Sequence, residues 1–153
     1  MTHENPLNLY LGENRDYKGR TLKQILEWTD SQLETQHDYI QVLFPTEVRS
    51  RAVSNAPLLE MDTVLAIQAD AEVLAYIQFG LQKSLERMLR FYGLALTGGV
   101  DNPTVNGNGQ PVDVNWGAEG NHNARRITRI IQCLALVIWR TLSQRTSNLF
   151  FQI

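Results

Sequence analysis

The sequence predicts an all-α fold, a single compact helical domain spanning residues 1–153, built from about five helices and interrupted by one long Gly/Asn-rich loop over 97–120. Three observations carry this. Apolar residues recur at three- and four-residue spacing along most of the chain, the longest such run covers Ala71 to Tyr92, and glycine and proline gather between the runs. A length of 153 residues suits one core, and 43% hydrophobic with 20% charged residues is an ordinary globular composition. The formal net charge of −2 and a pI near 5.9 speak against generic duplex nucleic-acid binding, which needs Lys and Arg massed on one face.

Met1 to Asn14 is polar and lacks the apolar run of a secretory signal, so an intracellular, soluble, cytoplasmic protein is expected. From Gly19 to Pro45, Leu22, Ile25 and Leu26 and then Leu33, Ile40, Leu43 and Phe44 predict two short helices. Thr29 and Gln32 have capping-box spacing, which puts a break near Trp28 to Asp30, and Pro45 is the stop. Between Thr46 and Pro57 the pattern fades into an extended connection. Asp62 is expected to cap a short helix through Val64 and Ile67, and Asp70 to cap the central helix. The inner stripe of that helix is Leu74, Ile77, Leu81, Leu85, Met88, Leu89 and Tyr92, and Gly93 ends it.

Within the loop, Val105 and Val112 to Val114 flank Asn106-Gly107 and Asn108-Gly109, a pattern that allows a small hairpin. The last helix runs from about Asn121 to Gln144, with Ile127, Ile130, Ile131, Leu134, Ile138 and Leu142 inward. Its apolar stretch Ile130 to Trp139 is about half of the roughly 20 residues a membrane span needs, so no transmembrane span is expected. The apolar tail Leu149 to Ile153 is a candidate for homo-oligomer contact. Cys133 is the only cysteine, so no intramolecular disulfide can form.

Two polar groups stand out. His37 is in helical register with Leu33, Ile40 and Phe44, with Asp38 beside it and Gln41 a turn on. It is either a site residue, as an acid/base group or metal ligand, or a core histidine with satisfied hydrogen bonds. The second group is Asn121-His122-Asn123 with Arg125, Arg126 and Arg129. Free amides at a helix start beside guanidinium groups suit an anion, whereas a capping Asn121 and a solvated arginine face are the plainer alternative. Carboxylates such as Glu34 and Glu119 are further candidates for pairing in space. His37, Asp38 and His122 would be the set for a metal-assisted hydrolase. The sequence has no HExxH, CxxC pair, Walker, GxGxxG or GxSxG motif, so no cofactor and no resident metal are predicted and the catalytic residues are unknown.

Several blocks carry a resemblance. They are Tyr10-Leu11-Gly12, Asp16 with Gly19-Arg20-Thr21-Leu22, Trp28, Leu33-Glu34 leading into His37-Asp38-Tyr39-Ile40-Gln41, Leu43-Phe44-Pro45, Ala56-Pro57-Leu58, Met88-Leu89 with Phe91-Tyr92-Gly93, and Asn121-His122-Asn123 with Arg126-Ile127-Thr128-Arg129-Ile130. In these the chain resembles the conserved N-terminal region of the opioid growth factor receptor family. Val42 stands where the family often has an aromatic, and Ala124 replaces a frequent second histidine. The resemblance implies binding of enkephalin-type peptides and, in vertebrate members, association with nuclear or other membranes. Both polar groups fall inside its most recognisable blocks. The expectation is a ligand- or partner-binding module, more a binder than an enzyme, in which the two blocks pack side by side. Arg20, His37, Gln41, Asn121, His122 and Arg126 would then surround a small anionic or peptide-like ligand. The remaining alternative is a structural or oligomerising helical protein.

Overall fold

The computed structural model describes residues 5–12, 14–48, 56–98, 104–109 and 121–137. Among these, a 3-10 turn at Pro6–Tyr10 precedes helices α1 (Leu22–Leu26), α2 (Asp30–Thr35), α3 (Tyr39–Leu43), α4 (Met61–Ala69) and α5 (Ala71–Phe91), strands β1 (Leu94–Thr97) and β2 (Thr104–Gly107), and helix α6 (His122–Val137). The fold is thus mostly helical but not all-α, with six helices and a two-stranded sheet among the described residues. None of these helices is long and apolar enough to cross a membrane.

Helix α5 is the spine. Its inward residues Ile77, Leu81, Leu85, Met88 and Leu89 are essentially inaccessible and sit at helical spacing, as the stripe predicted. Asp70 ends α4 and starts α5, and its carboxylate accepts from the Val73 amide at 3.2 Å. The two helices therefore meet at a sharp bend of 112°. Asp62 lies in the first turn of α4 rather than at its cap, since Glu60 holds that position without a side-chain bond. At the far end of α5, Gly93 takes φ 78°, a left-handed turn that reverses the chain into β1.

Strand β1 pairs antiparallel with β2, Leu94 opposite Gly107 and Thr97 opposite Thr104. The pattern around Val105 predicts strand structure there, and its partner is Leu94–Thr97, which lies between the helix end at Gly93 and the start of the predicted loop at 97. Val112 to Val114, the partner expected from sequence, lie outside the described residues, as do Ile138, Leu142 and the tail Leu149 to Ile153.

The segment 19–45 holds three short helices where two were expected. Thr21 with Gln24 and Thr29 with Gln32 both close reciprocal capping boxes. Helices of five and six residues are not stable alone, so their ends must be held by the rest of the molecule. Arginines from the long helices do this. Arg87 of α5 donates to Leu26 O at 3.2 Å and Trp28 O at 2.7 Å, closing α1. Arg126 of α6 donates to Gln36 O at 2.5 Å and Glu34 O at 3.3 Å, closing α2. Arg129 donates to Phe44 O at 3.2 Å, closing α3. Each places a cation on carbonyls that have no helical partner, at the negative end of a helix. Tyr10 adds a further tie. Its hydroxyl donates to Leu43 O at 2.6 Å and lies 2.9 Å from Ser84 Oγ, while its ring occupies the space that the missing side chain of Gly80 leaves on α5.

Candidate functional site

Between α2 and α3 the chain leaves the helix. Gln36 is extended, at φ −80° and ψ 142°, and Asp38 precedes α3 without a side-chain cap. The Leu33, Ile40, Phe44 register is therefore not one helix face, and His37 is exposed rather than turned to the core as its register predicted. Beneath it, the Gln41 amide nitrogen donates to His37 O at 3.1 Å and Asp38 O at 3.2 Å, fixing the turn from inside.

The start of α6 packs against this turn. Asn121 caps the helix, its side chain accepting from the Asn123 amide at 2.8 Å. Asn123 is fully buried, and its Oδ1 accepts from Tyr92 at 3.2 Å and from Arg126 Nη1 at 3.1 Å. Its Nδ2 donates to Glu34 Oε2 at 3.1 Å, while Glu34 Oε1 lies 2.9 Å from His122 Nε2. The Arg126 guanidinium stands 5.3 Å from the centroid of the Tyr39 ring, whose hydroxyl donates to Leu33 O at 2.9 Å. Burial pushes the Tyr39 and Tyr92 phenols above their ordinary value, so both remain donors.

Above this buried network the two imidazoles meet edge to face, with ring centroids 5.9 Å apart and an angle of 82°. His37 is exposed, the His122 side chain is 43% exposed, and that of Glu34, which joins His122 to the network, is 34% exposed. The surface thus offers two imidazoles and a carboxylate on a braced turn.

Arg20 is held elsewhere. It bonds Asp16 at 2.6 Å and Asp38 at 3.1 Å and lies over Trp28 at 5.4 Å. Asp38 also receives Lys18 at 2.5 Å and Tyr17 at 3.0 Å. Burial pushes the Asp38 carboxyl up, but the bonds from Lys18, Arg20 and Tyr17 outweigh it and hold the group down at about 2. Of the six residues proposed from sequence, His37 and His122 therefore form the exposed pair. Arg126, Asn121 and Gln41 brace it from below, and Arg20 belongs to the neighbouring Asp38 cluster. With its carboxylate so engaged, Asp38 does not join the two histidines. No group of three or more His, Cys, Asp and Glu side chains that could hold a metal occurs among the described residues.

Glu34 and Asn123 are the members that spacing did not single out as a pair. They are 89 positions apart, and only the packing of α2 on α6 joins them. A sequence model described as the opioid growth factor receptor (OGFr) conserved region matches residues 4–152. No curated protein and no solved structure matches the chain.

Proposed function

The chain belongs to the family defined by the opioid growth factor receptor conserved region, and on that premise we propose that it is a non-catalytic binding module whose recognition face is His37, His122 and Glu34. The observation that carries this is the contact of the two imidazoles across the α2–α3 turn and the start of α6, where the two most recognisable sequence blocks meet. Exposed polar and aromatic groups on a braced turn are better suited to recognition than to packing. The groups on offer decide the ligand class. Arg126 and Asn123 are spent on the turn itself, so a small anion has less to bind than the sequence suggested. A partly exposed carboxylate beside a pair of imidazoles suits the amino terminus and first side chain of a short peptide. The ligand we favour is accordingly a peptide with a free amino terminus, of which enkephalin-type peptides are the form the family implies. An intracellular site of action, with peripheral association at nuclear or other membranes, fits this reading.

Isothermal titration with an enkephalin-type pentapeptide tests it, in free and N-acetylated form. Binding of the free peptide is expected to weaken about tenfold on acetylation and in H37A and H122A, corresponding to one lost polar contact each. Heat release that is absent at millimolar peptide, or binding unchanged in H37A/H122A, refutes the assignment.

A further inference from the structure

The face of α5 opposite the core carries Glu72, Tyr76, Phe79, Lys83, Glu86 and Arg90. The steps between them are four, three, four, three and four residues, the alternation of a coiled-coil seam. On a helix this puts all six in one stripe. Tyr76 and Phe79 are 60% and 64% exposed, one turn apart, and Glu72 and Arg90 are exposed at its two ends. Beside the aromatic pair runs an apolar groove of about 460 Å³ whose far wall is Leu22 and Leu26 of α1. Nothing among the described residues covers either feature. Two large exposed rings beside an apolar groove mark an interaction surface.

The order of charges says what fits. A second α5 laid antiparallel on the outward face, about a two-fold axis at the level of Leu81, sets Glu72 opposite Arg90, Tyr76 opposite Glu86 and Phe79 opposite Lys83. Every pair is favourable: an ion pair, a phenol on a carboxylate and an ammonium on a ring. The last of these already has a counterpart within one chain, where Lys83 Nζ sits 5.3 Å from the Phe79 ring centroid. A stripe meant for an unrelated partner has no reason to be complementary to its own reverse, whereas an isologous contact requires it.

We propose that two copies of this chain associate through this stripe, α5 antiparallel on α5. The proposal is independent of the peptide reading, since none of its residues belongs to the His37–His122 face. The stripe is about 27 Å long at 1.5 Å per residue, so a small interface that associates weakly, in the micromolar-to-millimolar range, is expected.

Sedimentation equilibrium of the full chain, from about 5 μM to about 1 mM to bracket that range, tests it. The wild type is expected to dimerise and F79S to remain monomeric. In E72R the dyad repeats an Arg–Arg clash twice, so association weakens about tenfold. The double exchange E72R/R90E restores the pairing and brings affinity back to within about threefold of wild type. All substitutions are at exposed positions, and circular dichroism confirms that each variant is folded. A wild type that is monomeric throughout overturns the proposal. So does a dimer indifferent to F79S, or a double exchange no tighter than E72R.

Discussion

Replacing Arg126 by methionine isolates the interaction on which the candidate site rests. Methionine keeps the length and the apolar stem and removes the guanidinium, which is 7% exposed as part of the whole residue. Three hydrogen bonds go with it, to Gln36 O at 2.5 Å, to Glu34 O at 3.3 Å and to Asn123 Oδ1 at 3.1 Å. Bonds from a charged donor contribute about 1.5–3 kcal/mol each in isolation, but bonds that share one donor group do not add. Two losses are also softened. Asn123 Oδ1 keeps the Tyr92 hydroxyl, and Gln36 is exposed, so its carbonyl turns to water. The part without a substitute is the Glu34 carbonyl and the contact with Tyr39, for a net cost of about 3 kcal/mol. In a domain of this length that lowers the melting temperature by about 9 °C. Urea unfolding followed by circular dichroism measures it, with R125M as the control. Arg125 is the exposed neighbour on the same helix, and its loss is expected to matter by less than about 0.5 kcal/mol. R126K should recover about half of the loss, because an ammonium reaches one carbonyl but cannot fork between two. A cost for R126M below about 1 kcal/mol refutes the idea that this arginine closes α2.

Three further outcomes follow from individual contacts. A methyl group at position 80 would fall inside the Tyr10 ring, so G80A should cost about 2 kcal/mol in chemical denaturation even though alanine favours helix; a stabilised G80A would contradict the packing. The Asp38 carboxyl titrates at about 2 when folded, below its ordinary value of 3.8, so its stabilising effect is fully present above the ordinary value and disappears as pH falls through the folded one. D38N should therefore be less stable than wild type at neutral pH, with the gap closing in acid-unfolding curves between about pH 4 and pH 2. Burial pushes the Cys133 thiol up to about 12, so a thiol reagent should label the protein only at the rate of unfolding; fast labelling under native conditions would show that α6 does not bury it.

Where neighbours along the chain decide the structure, the sequence was readable. Thr29 with Gln32, Asp70 before Val73, the inner stripe of α5 and the turn at Gly93 all depend on residues within one helical turn, and all were anticipated. The break at Gln36 to Asp38 was not, because Leu33, Ile40 and Phe44 continue the helical register across it. What sustains the break is Arg126, 90 positions away, taking the carbonyl that helix continuation would otherwise have used. The same error misplaced His37, which a continuous helix would have turned inward. Strand β1 was missed for a similar reason. Leu94 to Thr97 is too short to show alternation, and it becomes a strand only through pairing with Thr104 to Gly107. The adjacency of the two polar blocks was inferred correctly, but spacing gave no means to rank their members, so scaffold and surface residues were grouped together.

That distinction determines how experiments on the site must be read. Arg126, Asn123, Tyr39 and Tyr92 are buried, and each also holds a helix end or a core contact, so substitutions there lower stability and displace the turn that carries His37. Loss of binding in such a variant would therefore say nothing about contact with ligand. His37 and His122 lie outside this dependence. His37 is exposed, the His122 side chain is nearly half exposed, and His122 meets the network at the partly exposed Glu34 carboxylate rather than at the buried bonds of Asn123 and Arg126. Their removal should leave the unfolding curve within about 0.5 kcal/mol of wild type. A binding defect in H37A or H122A at unchanged stability is consequently the signature of recognition. A defect that scales with stability across R126M, R126K and the histidine variants would mean that the two polar blocks serve the fold alone.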